Sequence, residues 1–352
     1  MEVKYSDLNN IYNNEVKKNV KNKEKIYRFE RNKVSYLCNM KKDLESLNYN
    51  GGVYNIFLVF KPKVRVVMSQ SIYDKVINHY ITRFILLPKL TNRLVLENCA
   101  TRKNMGLLYA LEMTKKLINY YKRSGEVYYL KMDISKYFYS IDQDILLSKV
   151  KKFLTEEEYI LVKNIIYSTN KNYVNKNISY LSKKYNVDLP KYDYKKGLPI
   201  GNMTSQFLAI FYLNELHFYI KHTLKLSGCI YMDDYVYFSN NKDYLNKCFL
   251  KIKVILNNDY KLTLNKNKTF IKNVKDGLNF LGYNFYIKNN KTIIKLSKST
   301  RKNIKKGIKR CKYNYINGIF NLSSAFSSIE NYMHSYVFID NKTITNYLNR
   351  YW

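Results

Sequence analysis

Three aspartates define the chemistry open to this chain: the adjacent pair Asp233-Asp234 and, far upstream, Asp133. Neighbouring carboxylates repel each other, and a fold that keeps them together usually offers them a cation. Their oxygens are hard ligands, suited to Mg²⁺. Phosphoryl transfer to the end of a growing nucleic acid uses two such ions ~3.5–4 Å apart, one for the attacking hydroxyl and one for the leaving phosphate. Sequence distance alone brings these three side chains nowhere near each other, so local elements must position them.

Cys229-Ile230 precedes the tetrapeptide Tyr231-Met232-Asp233-Asp234, and Tyr235-Val236-Tyr237-Phe238 follows it. β-Favouring residues on both sides predict a hairpin with the carboxylates at or near its turn. Val127 to Met132 predicts a strand ending at Asp133, where a side chain can leave the sheet and enter a cleft. A helix over 142–153 follows, with Asp142 as N-cap. From Gly197 a loop opens an apolar helix over 204–220, capped by Thr204 or Ser205. Upstream, residues 1–50 read as basic helices broken by Gly51-Gly52. Strands at 53–60 and 64–68 flank Lys61-Pro62-Lys63, and helices at 71–87 and 105–122 flank a polar loop. Residues 169–196 are rich in Lys, Asn and Tyr and read as a long polar excursion. Downstream come a helix at 243–257, strands near 261–271 and 278–287, and a helical end. One terminal helix carries Ile304, Ile308, Cys311 and Tyr315 on a single stripe, with Arg301, Lys302, Lys305, Lys306 and Lys309 on its other faces.

The 352 residues include 61 Lys+Arg against 27 Asp+Glu, a net charge of +34 that folding does not require. Such a balance asks for a polyanionic partner. With 46% hydrophobic residues, 11 Gly and 4 Pro, the composition is globular rather than disordered. No apolar run reaches 18 residues, which argues against a membrane span, and Met1-Glu2-Val3-Lys4 lacks the apolar core of a signal peptide. The five cysteines, Cys38, Cys99, Cys229, Cys248 and Cys311, form no C-x-x-C pair and read as reduced. A cytoplasmic protein is the expectation. The four histidines show no metal-ligand spacing.

Several segments together carry a family resemblance. Asp133-Ile134-Ser135-Lys136-Tyr137-Phe138 resembles the first palm motif of reverse transcriptases, Gly197 to Gln206 their loop-and-helix motif, and Tyr231 to Asp234 their third. Leu264 to Thr269 and Phe280-Leu281-Gly282-Tyr283 resemble the next two motifs in order and spacing. Lys61 to Arg65 and Arg102 to Gly106 resemble the fingers motifs, so the likeness runs from about 61 to 285. It implies an α+β right-hand polymerase with an antiparallel palm sheet. Residues 1–125 would form an N-terminal helical extension and fingers, which resume at about 150–196. Residues 126–149 and 197–287 would form the palm, and 288–352 a basic helical thumb.

The resemblance also implies roles. Asp133, Asp233 and Asp234 would bind two Mg²⁺ ions, with Mn²⁺ as a substitute, and the Ile134 carbonyl would complete one site. Lys61, Lys63 and Arg65 would grip the triphosphate. Phe138 would exclude a ribose 2′-hydroxyl and so select dNTPs. Ile200, Gly201 and Gln206 would border the nascent base pair, and Lys268 would donate a proton to the leaving pyrophosphate. Arg102 would touch template phosphates. Phe280, Leu281, Gly282 and Tyr283 would cradle the primer, and the basic helix with Arg301 would follow the duplex.

Many reverse transcriptases place Gln before the motif glycine and Pro at its end, whereas this chain has Ile200 and Gln206. That form is similar to the enzymes of diversity-generating retroelements and to related phage-defence forms. The implied activity is RNA-directed DNA synthesis on a dedicated noncoding RNA, giving cDNA from dNTPs for a diversity-generating retroelement. An accessory protein or a second copy of the chain would join it. A defence enzyme with the same chemistry is the alternative, and an RNA-binding scaffold without catalysis is a second.

Overall fold

The computed structural model describes residues 2–60, 63–334 and 341–352. In chain order the elements are α1 (Tyr5–Ile11), α2 (Lys23–Arg31), α3 (Lys33–Glu45), β1 (Tyr54–Val59), β2 (Arg65–Gln70), α4 (Ile72–Tyr80), α5 (Leu87–Leu90) and α6 (Leu107–Tyr121). Then come β3 (Tyr128–Asp133), α7 (Tyr137–Ser140), α8 (Gln143–Lys151), α9 (Glu156–Ile166), α10 (Asn172–Tyr185), α11 (Met203–Tyr212) and α12 (Asn214–Phe218). The chain continues through β4 (Ser227–Tyr231), β5 (Asp234–Ser239), α13 (Lys242–Tyr260), β6 (Phe270–Asn273), β7 (Leu278–Phe280), β8 (Tyr283–Lys288) and β9 (Lys291–Leu296). It ends with α14 (Lys298–Ile316), α15 (Leu322–His334) and α16 (Asn341–Tyr351). Contacts group them into two units. The first comprises Met1–Arg102, Asp133–Lys225 and Leu250–Lys266, the second Lys103–Met132, Leu226–Phe249 and Asn267–Trp352.

Within the first unit, β1 and β2 pair antiparallel from Tyr54↔Gln70 to Val59↔Arg65. Their buried face, Tyr54, Ile56, Val66 and Met68, packs with Val174 and Ile178 of α10. Eight of the ten residues of α11 are buried, among them Phe207, Leu208, Ile210 and Phe211. A helix apolar on every side belongs inside a core. Caps fix where helices begin: Ser71 accepts from Asp74 N to start α4, and Thr155 with Glu158 forms a capping box on α9.

Within the second unit, the strands order as β4-β5-β3-β6, and a separate sheet runs β7-β8-β9. The four interior residues of β5 are all buried, as a strand flanked on both edges and covered on both faces requires. α6 packs on β4 and β5. On α14, Ile304, Ile308 and Cys311 are buried and Ser297 caps the N-terminus. Among the described residues no helix is long and apolar enough to cross a membrane.

Several expectations need correction. Within the polar excursion expected over 169–196, residues 172–185 form a helix. The strand expected near 261–271 shrinks to Phe270–Asn273 plus an isolated bridge Ile134↔Leu264, because the polar run Asn265 to Lys268 makes a turn. The strand expected over 278–287 is a hairpin, reversed at Leu281 (φ 49°) and Gly282 (φ 85°). Asn202, not Thr204 or Ser205, flanks the start of α11; Thr204 lies inside the helix and donates to Asn78 Oδ1 at 2.8 Å. Tyr315 lies off the buried stripe, 41% exposed.

Candidate functional site

The carboxylate pair sits where the strand pattern predicts. Tyr231 pairs with Asp234, so Met232 and Asp233 alone form the turn between β4 and β5. Met232 takes the left-handed conformation (φ 57°) that a two-residue hairpin demands at its first turn position. Glycine or asparagine would adopt it more easily, and a longer side chain there carries a strain of ~1–3 kcal/mol. Asp234 is the first residue of β5, and β5 lies next to β3 in the sheet. Lys131 of β3 reaches toward it, Nζ to Asp234 Oδ1 at 3.7 Å, while donating to Asn279 O at 2.8 Å. Lys131 was not predicted as a site residue. Its signal is the two-residue period of a strand, which places it on the same face as Asp133.

Asp133 ends β3 and is buried, 8% exposed. Its backbone carbonyl accepts from Asn265 N at 2.8 Å and its carboxylate from Asn265 Nδ2 at 3.2 Å. Asn265 is a second residue that the sequence reading did not single out, although it stands within a motif already recognised. Ser135 N donates to Thr263 O at 2.9 Å, so ladder bonds flank Ile134 on both sides. An antiparallel pair bonded in this way turns the Ile134 carbonyl toward the opposite edge of its strand. Among the described residues no three His, Cys, Asp or Glu side chains are gathered closely enough to hold a metal ion. Asp233 and Asp234 are adjacent at the tip of the β4-β5 hairpin.

Beyond Asp133, Lys136 takes a left-handed conformation (φ 47°) and starts the short helix α7. That helix turns Tyr137 inward, where its hydroxyl donates to Ala209 O at 2.5 Å, and leaves Phe138 half-buried. The Phe138 carbonyl accepts from Leu198 N at 2.8 Å, tying the loop from Gly197 to the Phe138 backbone. The far end of that loop docks on β2, where Met68 N donates to Ile200 O at 2.8 Å. Gly201 (φ 126°) has no room for a side chain, since a Cβ would stand 2.8 Å from Met68 O. Asn202 donates to the Tyr54 hydroxyl at 2.9 Å. The loop thus bridges α7 and the β1-β2 pair, with Ile200 half-buried and Gln206 exposed.

The remaining predicted residues separate into surface cations and framework. Lys63 and Arg65 are exposed at the start of β2, and Lys61 lies outside the described residues. Arg102 donates through Nη1 to Val95 O at 2.9 Å and Asn98 O at 3.3 Å, which ties it to its own loop. Lys268 is exposed. Phe280 and Tyr283 are core side chains, 0% and 1% exposed, so only the turn at Leu281-Gly282 reaches the surface. Gly282 O accepts from Ser297 N and from the Thr300 hydroxyl, joining that turn to the start of α14. On α14, Arg301, Lys302, Lys306 and Lys309 are exposed. Lys305 and Lys309 stand 5.0 and 5.9 Å from the Tyr351 ring.

The reverse transcriptase (RNA-dependent DNA polymerase) family matches residues 61–285. No curated protein sequence matches the chain. Among solved structures, apo telomerase from Candida tropicalis is similar with a TM-score of 0.50 and 14% identity, over 85% of this chain and 60% of that one. The same telomerase truncated from its C-terminal domain gives a TM-score of 0.46 and 17% identity, over 70% of this chain and 55% of that one. This chain therefore spans 55% to 60% of the length of these structures, and the 14% identical match speaks to fold alone. Matched over most of its length, from the β1-β2 turn to the β7-β8 hairpin, and built on the right-hand polymerase fold, the chain belongs to the reverse transcriptase family.

Proposed function

We propose that this chain is an RNA-directed DNA polymerase that extends a primer with dNTPs, with Asp133, Asp233 and Asp234 as its catalytic carboxylates. The observation that carries the reading is the two-residue turn holding Asp233 beside Asp234, on a strand whose sheet neighbour ends in Asp133. In donor chemistry the residues suit a hard divalent cation: carboxylate oxygens at Asp133, Asp233 and Asp234, and at Ile134 a main-chain carbonyl turned away from the ladder. A Mg²⁺ pair held there supplies activation of the primer hydroxyl and neutralises charge on the leaving pyrophosphate. Asn265 keeps the Asp133 carboxylate oriented. Lys63 and Arg65, with Lys61, hold the triphosphate, and Lys268 gives the pyrophosphate its proton. The Phe138 ring, steadied by the loop its own carbonyl holds, excludes a 2′-hydroxyl. Fingers, palm and thumb follow the divisions read from the sequence, and the basic face of α14 tracks the duplex.

Within that activity, the Ile200 and Gln206 pattern supports service in a diversity-generating retroelement, copying a dedicated noncoding RNA. An alkyl side chain in place of an amide removes a hydrogen-bonding group beside the new base pair, which relaxes fidelity. A cytoplasmic setting belongs to the same reading. Primer extension on an RNA template tests it: the wild-type chain extends a DNA primer with Mg²⁺ or Mn²⁺, and Asp233→Asn falls to background. An inactive wild type, or an Asp233→Asn chain that keeps its rate, refutes the assignment.

A further inference from the structure

We infer that the outer face of α10 is a binding groove for a single strand of nucleic acid, separate from the residues assigned to polymerisation. The helix presents two chemically distinct sides. Val174 and Ile178 are buried against β1 and β2. On the other side, Asn172, Asn175, Lys176, Ser179, Tyr180 and Lys183 follow one another at helical spacing and line a groove of ≈ 490 Å³, with Lys191 as its far wall. Among the described residues no carboxylate lines it. The far wall is fixed rather than loose: Asn175 donates to Tyr192 O at 2.8 Å and accepts from Tyr192 N at 3.0 Å, so one amide clamps both main-chain groups beside Lys191.

Charge and ring together specify the occupant. Lys176, Lys183 and Lys191 are exposed. The first two lie ~10 Å apart along the helix. Tyr180 is 61% exposed, with Lys184 Nζ 5.7 Å from its ring. An exposed aromatic face beside lysines is the arrangement that stacks an unpaired base while cations hold the phosphates on either side. A duplex hides its base faces, and an acidic peptide has no use for the ring. The Asn172 amide and the Ser179 hydroxyl on the rim add polar partners for sugar or base edges. The inference does not depend on the polymerase reading, since the groove would bind a strand whether or not the chain extends one.

The test measures binding of the full chain to a fluorescent RNA 12-mer, and to the DNA 12-mer of the same sequence, across a salt series. Replacing Lys176, Lys183 and Lys191 together with Ala should weaken binding roughly tenfold or more at low salt and reduce the salt slope by ~2, given ~0.7 per phosphate contact on a single strand. Tyr180→Ala should weaken binding at least ~fivefold while Tyr180→Phe retains it. The strand that loses more affinity identifies the natural ligand. Lys21→Ala, Lys23→Ala and Lys25→Ala, combined in one chain, remove equal charge elsewhere on the surface and should change little. An unchanged slope in the groove variant overturns the inference, as does an equal loss in that control. An equal loss for a duplex or a polyglutamate probe overturns it too.

Discussion

Gly201→Ala isolates how the loop before α11 is held. Two penalties arise from the geometry. The backbone at position 201 has φ 126°, a conformation that L side chains rarely adopt; forcing it on alanine costs ~1–3 kcal/mol. The new Cβ would also meet Met68 O at 2.8 Å, several tenths of an ångström inside ordinary contact, and that oxygen belongs to a strand backbone that cannot swing aside. Relief requires the loop to lift off β2, which breaks the bond from Met68 N to Ile200 O and forfeits ~1 kcal/mol. Together these give ~2–4 kcal/mol. Hydrogen exchange at the Met68 amide reads this locally, and a factor of ten per ~1.4 kcal/mol sets the expected acceleration at roughly 30-fold to several hundred-fold. Gly106→Ala is the matched control: its φ of 138° is similar, but nothing lies within 4 Å of a Cβ there. It should show backbone strain without the clash. If Gly201→Ala leaves Met68 exchange unchanged, or if the two variants destabilise their surroundings equally, the loop does not depend on its close approach to β2. Under the proposed function, Gly201→Ala should also raise the dNTP KM more than it lowers kcat.

Two further outcomes follow from buried polar groups. Asp142 accepts from Asp144 N and Ile145 N to cap α8 and pairs with Lys261 at 2.9 Å. Asp142→Ala should therefore cost ~1–2 kcal/mol in urea unfolding, whereas Asp142→Asn, which keeps the cap and loses only a pair with a mostly exposed lysine, should cost well under ~1 kcal/mol. Equal losses would mean that the ion pair, not the cap, holds the helix. His217 is fully buried, and burial lowers its pKa from 6.5 to about 3. The unfolded chain binds that proton first, so stability is complete above pH ~6.5 and falls by ~1.4 kcal/mol per pH unit as pH drops through 5.5 and 4.5. His217→Leu should flatten that part of the stability–pH profile, and parallel profiles for the two proteins would refute the assignment.

What could be read from the residues alone divides along a physical line. The β4-β5 hairpin and the strand ending at Asp133 were legible because short-range rules fix them: β-branched and aromatic runs, a two-residue turn, an aspartate at a strand end. Asp142 was legible as a cap for the same reason. α10 was not, since its Asn, Tyr and Ser residues have modest helix propensity, and its fate rests on Val174 and Ile178 finding the β1-β2 face more than a hundred positions upstream. The partners of the aspartates were hidden in the same way. Asn265 reaches Asp133 across 132 positions, and the strand period that marks Lys131 does not encode the pairing that brings it to Asp234. Phe280 and Tyr283 show the converse, where motif position implied contact with a primer and tertiary packing took the rings inside. A motif fixes which backbone turns where, whereas burial decides which of its side chains remain available for chemistry. By that criterion Leu281-Gly282, rather than the aromatic rings beside it, is the part of the β7-β8 hairpin that reaches the surface.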